Sequence, residues 1–144
     1  MDLFTLINIL LIVHLGGLIM GFVGGRAHGV VVGRIAAASP ETAALLWTFE
    51  AQASRAAFVG TALLVASGAA MLWLKYGGLA GQGTLFWVKM ALVAAVTLAE
   101  IMRHRTALAW KAGDAAMERA TKAWGKFSGL AAVATVAVAV FNFN

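Results

Sequence analysis

Apolar positions along this chain come in four long blocks, not in the short alternations of half-buried strands. The first runs from residue 3 to 23 almost without interruption and continues through a glycine-rich stretch to about residue 36. Ser39-Pro40-Glu41 then reads as a helix start, with serine as N-cap, proline at the first helical position and an acid in the first turn. The second helix is expected over 40–76, polar at first (Glu50, Gln52, Arg55) and apolar over 56–74, with Gly77-Gly78 ending it. Thr84 is the expected cap of a third helix over 85–112. Gly113-Asp114 breaks the pattern, and Asp114 is the expected cap of a fourth helix over 115–141. Each block is long enough to cross a bilayer. Four long helices with short connections predict an all-α integral membrane protein: one domain, 1–144, folded as an up-down-up-down four-helix bundle.

Composition sharpens this. Hydrophobic residues make up 62% of the 144 and charged residues 12%, about half the charge of a soluble domain. Mean hydropathy is +0.87. Without cysteine, disulfides and thiolate metal centres are excluded. The net charge of +5 does not point to nucleic acid, because the basic residues flank apolar spans, as topology-setting charges do. Asp2 stands where a signal peptide would be positive, and the apolar run exceeds an h-region, so the first segment is expected to be retained.

The charges also orient the chain. Arg26, Arg34 and Arg55 lie around the first connection; Arg103, Arg105, Lys111, Arg119, Lys122 and Lys126 lie around the third; Lys75 alone lies at the second. The positive-inside rule puts the first and third connections in the cytoplasm and both termini on the opposite side.

Candidate chemistry lies on two helix faces. His14 and His28 are fourteen residues apart, which returns the chain to nearly the same face about 21 Å further along. Gly17, Gly21 and Gly24 lie between them on that face. Such a stripe admits either a flat ligand or a closely packed helix. The glycines at 17, 21, 25, 29 and 33 form a small-xxx-small ladder as well. On the third helix, Lys89, Val93, Thr97, Glu100 and His104 share a stripe. The offsets from His14 to Lys89 and from His28 to His104 are 75 and 76 residues, so one axial shift of two parallel helices pairs both.

That pairing suggests chemistry. His28 and His104 on facing helices would supply the two axial ligands of a b-type haem, with the glycine face making room and Arg26, Arg103 or Arg105 meeting its propionates. His14 is a second haem or metal ligand, with Lys89 as its charged and catalytic partner. The alternatives are structural. His14 hydrogen-bonds a neighbouring helix through Thr61 or Thr97, His28 and His104 sit in interfacial water, Lys89 snorkels, and Glu100 pairs with Arg103, His104 or the first helix. Met20, Met71, Met90 and Met102 are soft copper ligands but are scattered.

His14 followed by Gly16-Gly17-Leu18, Ser54-Arg55 leading to Ser67-Gly68, and Trp87-Val88-Lys89-Met90-Ala91-Leu92-Val93 give the chain a diffuse likeness over 10–104. It resembles the small bacterial membrane proteins that include HemJ-type protoporphyrinogen oxidases and CopD-type copper-resistance domains. The likeness implies haem binding at His14, a required lysine at Lys89, porphyrinogen oxidation, a homo-oligomer and residence in a bacterial inner membrane. Unlike the HemJ type, the segment after His14 is glycine-rich and Arg26 has no preceding proline. Two expectations follow. One is a membrane b-haem or porphyrin-binding oxidoreductase acting on a hydrophobic small molecule. The other is a cofactor-free accessory subunit whose glycine ladder, Trp110 and Trp124 pack against a larger complex, or a CopD-like copper-handling protein.

Overall fold

A computed structural model describes residues 2–142. Among them are four helices, α1 (Leu3–Ile35), α2 (Pro40–Tyr76), α3 (Thr84–Lys111) and α4 (Met117–Asn142), each long and apolar enough to cross a membrane. The protein is an all-α, multi-pass membrane bundle. Its large apolar side chains point outward, as lipid requires: Phe4, Ile12 and Leu130 are 75%, 70% and 72% exposed.

Local chemistry sets the ends. Asp2 caps α1 by accepting from the Thr5 amide at 2.8 Å. Hydrogen bonds from Thr5, side chain and backbone, hold the Asp2 carboxyl below its ordinary range. Ser39 caps α2, accepting from the Thr42 amide, with Pro40 in the first turn. Gly77 ends α2 in the left-handed region at φ 72°. Two expected boundaries shift. Gly83, extended and without a side-chain cap bond, precedes α3, so Thr84 is its first helical residue and not its cap. Asp114 accepts from the Ala116 amide, but Ala115 and Ala116 close a turn, and α4 begins at Met117.

The bundle is built from two hairpins. α1 lies along α2 and α3 along α4; α1 touches α4 and α2 touches α3 more sparingly. Among the described residues α1 and α3 make no close approach. The glycine face expected to look toward α3 is filled by α2 instead. A Cβ on Gly17 would stand 2.8 Å from the Gly60 carbonyl, and one on Gly24 would stand 2.5 Å from the Ala57 nitrogen. A Cβ on Gly21 would meet Thr61 nitrogen at 3.6 Å, and one on Gly60 would collide with the Gly21 backbone. The ladder divides because steps of four drift around a helix of 3.6 residues per turn. Gly25, Gly29 and Gly33 have rotated off the interface and have open space around them.

Packing is uneven along the bundle. Toward the end carrying the first and third connections, here the basic end, α1 buries Gly24, His28, Val32 and Ile35, and α2 buries Glu50, Ser54 and Ala57. There α3 buries Ala99, Glu100, Arg103, Thr106 and Ala107. Trp47 of α2 meets Trp110 of α3 edge to face at 5.0 Å, so Trp110 has a partner within the chain. Beyond Gly17 and Gly60, in the far half, the buried helical residues among those described are Ser67, Phe86 and Ala131.

Candidate functional sites

At the basic end, ionisable side chains from three helices and a hydroxyl from the fourth converge in the core. His28 is 1% exposed. Its Nδ1 lies 3.0 Å from Glu50 Oε1 and 3.3 Å from Ser54 Oγ. Ser54 donates its one hydroxyl proton to Glu50 Oε1 at 2.6 Å. Both neighbours of Nδ1 are therefore acceptors toward it, so Nδ1 carries a proton. His28 Nε2 is buried without a protein partner. On α3, Arg103 Nη2 donates to Glu100 Oε2 at 2.5 Å, and Ser128 of α4 donates to Glu100 Oε1 at 2.5 Å. Arg103 is 2% exposed, and its charge reaches Glu50 as well as Glu100. Gly125 faces its aliphatic stem, the Cδ lying 3.8 Å from where a Cβ would be, an ordinary contact distance.

This arrangement corrects the pairing of His28 with His104. α1 and α3 do not meet, His28 is tied to α2, and His104 is exposed on the outer side of α3. The buried stripe of α3 runs through Arg103, and one residue is a 100° rotation, which carries His104 out of it. The structure brings together no pair of axial histidines here, and the glycines at 17, 21 and 24 line no open groove. Arg26 is also exposed, on a surface hollow of about 450 Å³ with Phe22 and Val30. The expected pairing of Glu100 with Arg103 is present.

The far half holds the other site. His14 Nδ1 lies 3.1 Å from Ser67 Oγ, and Ser67 donates to the Leu63 carbonyl at 2.6 Å. With its proton spent there, the hydroxyl accepts from His14 Nδ1–H. A neutral His14 ring therefore carries its lone pair on Nε2. Gly68 seats the ring: a Cβ there would stand 3.1 Å from His14 Cε1. The partner is thus Ser67, not Thr61 or Thr97; Thr97 donates to its own helix at Val93. Lys89, half-buried on α3, is within electrostatic reach of His14. Its Nζ lies 5.3 Å from the Phe86 ring centroid. Among the described residues, the helices that carry His14 and Lys89 make no direct contact.

Glu50, Ser54, Ser67 and Ser128 have no part in a site expected from the sequence, although Ser54 and Ser67 are among the residues that carry the resemblance. A signal existed for the first two, an acid and a hydroxyl at i and i+4 on a membrane helix. Ser128 has none, because its role depends on how the two hairpins meet. Among the described residues, no group of three histidine, aspartate or glutamate side chains gathers in a metal-binding arrangement. Comparison of the chain with protein families, curated proteins and solved structures finds no match.

Proposed function

We propose that this is a membrane redox protein that binds a b-type haem or related porphyrin through His14. The observation that carries this reading is the state of that ring. Its Nδ1 is anchored by Ser67, its Nε2 holds the lone pair, and it sits in the thinly filled half of the bundle. A ligating histidine needs that arrangement, with its second nitrogen oriented from behind. Lys89 supplies a positive charge within electrostatic reach, suited to a propionate or to a carboxylate of a hydrophobic substrate. Bound there, the group would supply one-electron chemistry, and the chain's part is to hold and orient it and to keep water away. His28 and His104 are not assigned as ligands. In this reading the protein lies in a bacterial inner membrane, with its basic end in the cytoplasm and both termini outside.

A second reading rests on a different observation. The glycine stripe is occupied by α2 and not left for a ligand, as expected of a cofactor-free accessory or oligomeric subunit. A visible spectrum of the purified protein separates the two. A Soret band with a reducible α band, absent in His14→Ala, supports the redox reading. A colourless protein from haem-replete cells that also fails to take up added haem overturns it.

A further inference from the structure

Where α2 and α3 approach each other, a cleft of about 340 Å³ opens toward the lipid-facing surface. Its walls are apolar, from Phe58, Ala62, Val65 and Ala66 of α2, and Phe58 and Val65 are 59% and 40% exposed at its rim. Its polar lining is Thr61, Thr97 and Glu100. Thr97 has spent its hydroxyl proton on the Val93 carbonyl, so it presents an acceptor. An ionised Glu100 is acceptor-only, and each oxygen keeps a second lone pair beyond those used by Arg103 and Ser128.

The charges behind the cleft are unbalanced. One guanidinium, Arg103, serves two buried carboxylates, Glu100 and Glu50. Arg119 and Lys126 of α4 are exposed, and Lys122 is taken by Glu118 at 2.6 Å. In low dielectric, a carboxylate that shares its guanidinium with a second carboxylate favours an incoming positive charge. A metal ion is poorly suited to fill the role, since hard cations take several oxygen ligands and no such group is gathered among the described residues.

We infer that this cleft is a binding site for a lipophilic organic monocation, an ammonium head on a small apolar body arriving from the bilayer. The head meets Glu100 and the Thr97 hydroxyl oxygen. The body lies along Ala62, Val65 and Ala66, with the Phe58 ring offering its face to the cation. The volume is at the small end for ligand pockets and suits a phenylalkylamine. The site is separate from His14 and does not depend on haem.

The test is a charge series of matched shape, titrated into the full-length protein in phosphatidylcholine nanodiscs, with empty discs subtracted. Phenethylammonium should bind about tenfold or more tighter than 2-phenylethanol, as a charge-assisted contact requires, and 3-phenylpropionate should not bind. Glu100→Gln should remove the preference for the cation. Because that change also disturbs Arg103, a double substitution, Ala62→Leu with Ala66→Phe, fills the cleft without altering a charge and should abolish binding of the ammonium. Equal binding of the three probes would mark a cleft for lipid tails and overturn the inference. Ammonium binding that survives filling of the cleft would overturn it too.

Discussion

The two halves of this bundle treat their polar groups in opposite ways. At the basic end, His28, Glu50, Ser54, Glu100, Arg103 and Ser128 are buried in two hydrogen-bonded sets, one joining α1 to α2 and one joining α3 to α4, with His28 Nε2 and Arg103 Nε left unpartnered. In the far half His14 and Lys89 are only half-buried, and His14 has one nitrogen anchored. The same residue type thus has two roles. His28 braces α1 against α2 with its unpartnered Nε2 sealed in the core at 1% exposure, whereas His14, anchored in the same way at Nδ1, is half-buried. Position along the helix does not distinguish them. Both rings are anchored at Nδ1, by Glu50 and Ser54 or by Ser67, and what separates them is burial, complete at His28 and partial at His14.

The contrast can be broken most severely at the basic end. Arg103→Met leaves Glu50 and Glu100 buried without their shared cation and should cost about 3–5 kcal/mol, read as loss of folded protein in a denaturant titration in mild detergent. Arg103→Lys should recover part of the loss. Gly24→Val forces a side chain into the Ala57 backbone and should cost about 1–3 kcal/mol or more, while Gly29→Ala, which meets nothing, should leave the midpoint unchanged. In the far half, Ser67→Ala removes the acceptor of His14 Nδ1–H and should cost about 0.5–1.5 kcal/mol. It should also release the ring, seen as a mixture of imidazole tautomers by nitrogen NMR. The smallest effect belongs to His104→Ala, exposed and without a buried role, which should change stability by less than about 0.5 kcal/mol. If Ser67→Ala proved as damaging as Arg103→Met, the difference between the halves would vanish.

The helices were legible in the sequence because lipid imposes long apolar runs, and Ser39-Pro40 and Gly77 mark ends by local chemistry alone. The neighbour relations were less so. The equal offsets from His14 to Lys89 and from His28 to His104 suggested that α1 faces α3, yet the short Ala36–Ser39 connection sets α1 against α2, and Gly60 gives the glycine stripe a matching notch. A stripe bare enough for a macrocycle is equally bare for a second backbone, and periodicity does not choose between them. Glu100 and Arg103 were visible as a close pair of opposite charges on one helix. That Arg103 and not His104 turns inward follows from the rotation of α3 against α4, which brings Ser128 to Glu100 and Gly125 alongside the Arg103 stem. That rotation is a tertiary fact no single helix encodes.

The most direct test of the claim that only the far-half histidine is available is a haem titration of the protein in nanodiscs alongside His14→Ala, His28→Gln and His104→Ala, each first shown to be folded. The account predicts one saturable Soret transition that is lost in His14→Ala and retained in the other two. Loss of the band in His28→Gln or His104→Ala with retention in His14→Ala, or no saturable transition in the unmodified protein, would contradict it.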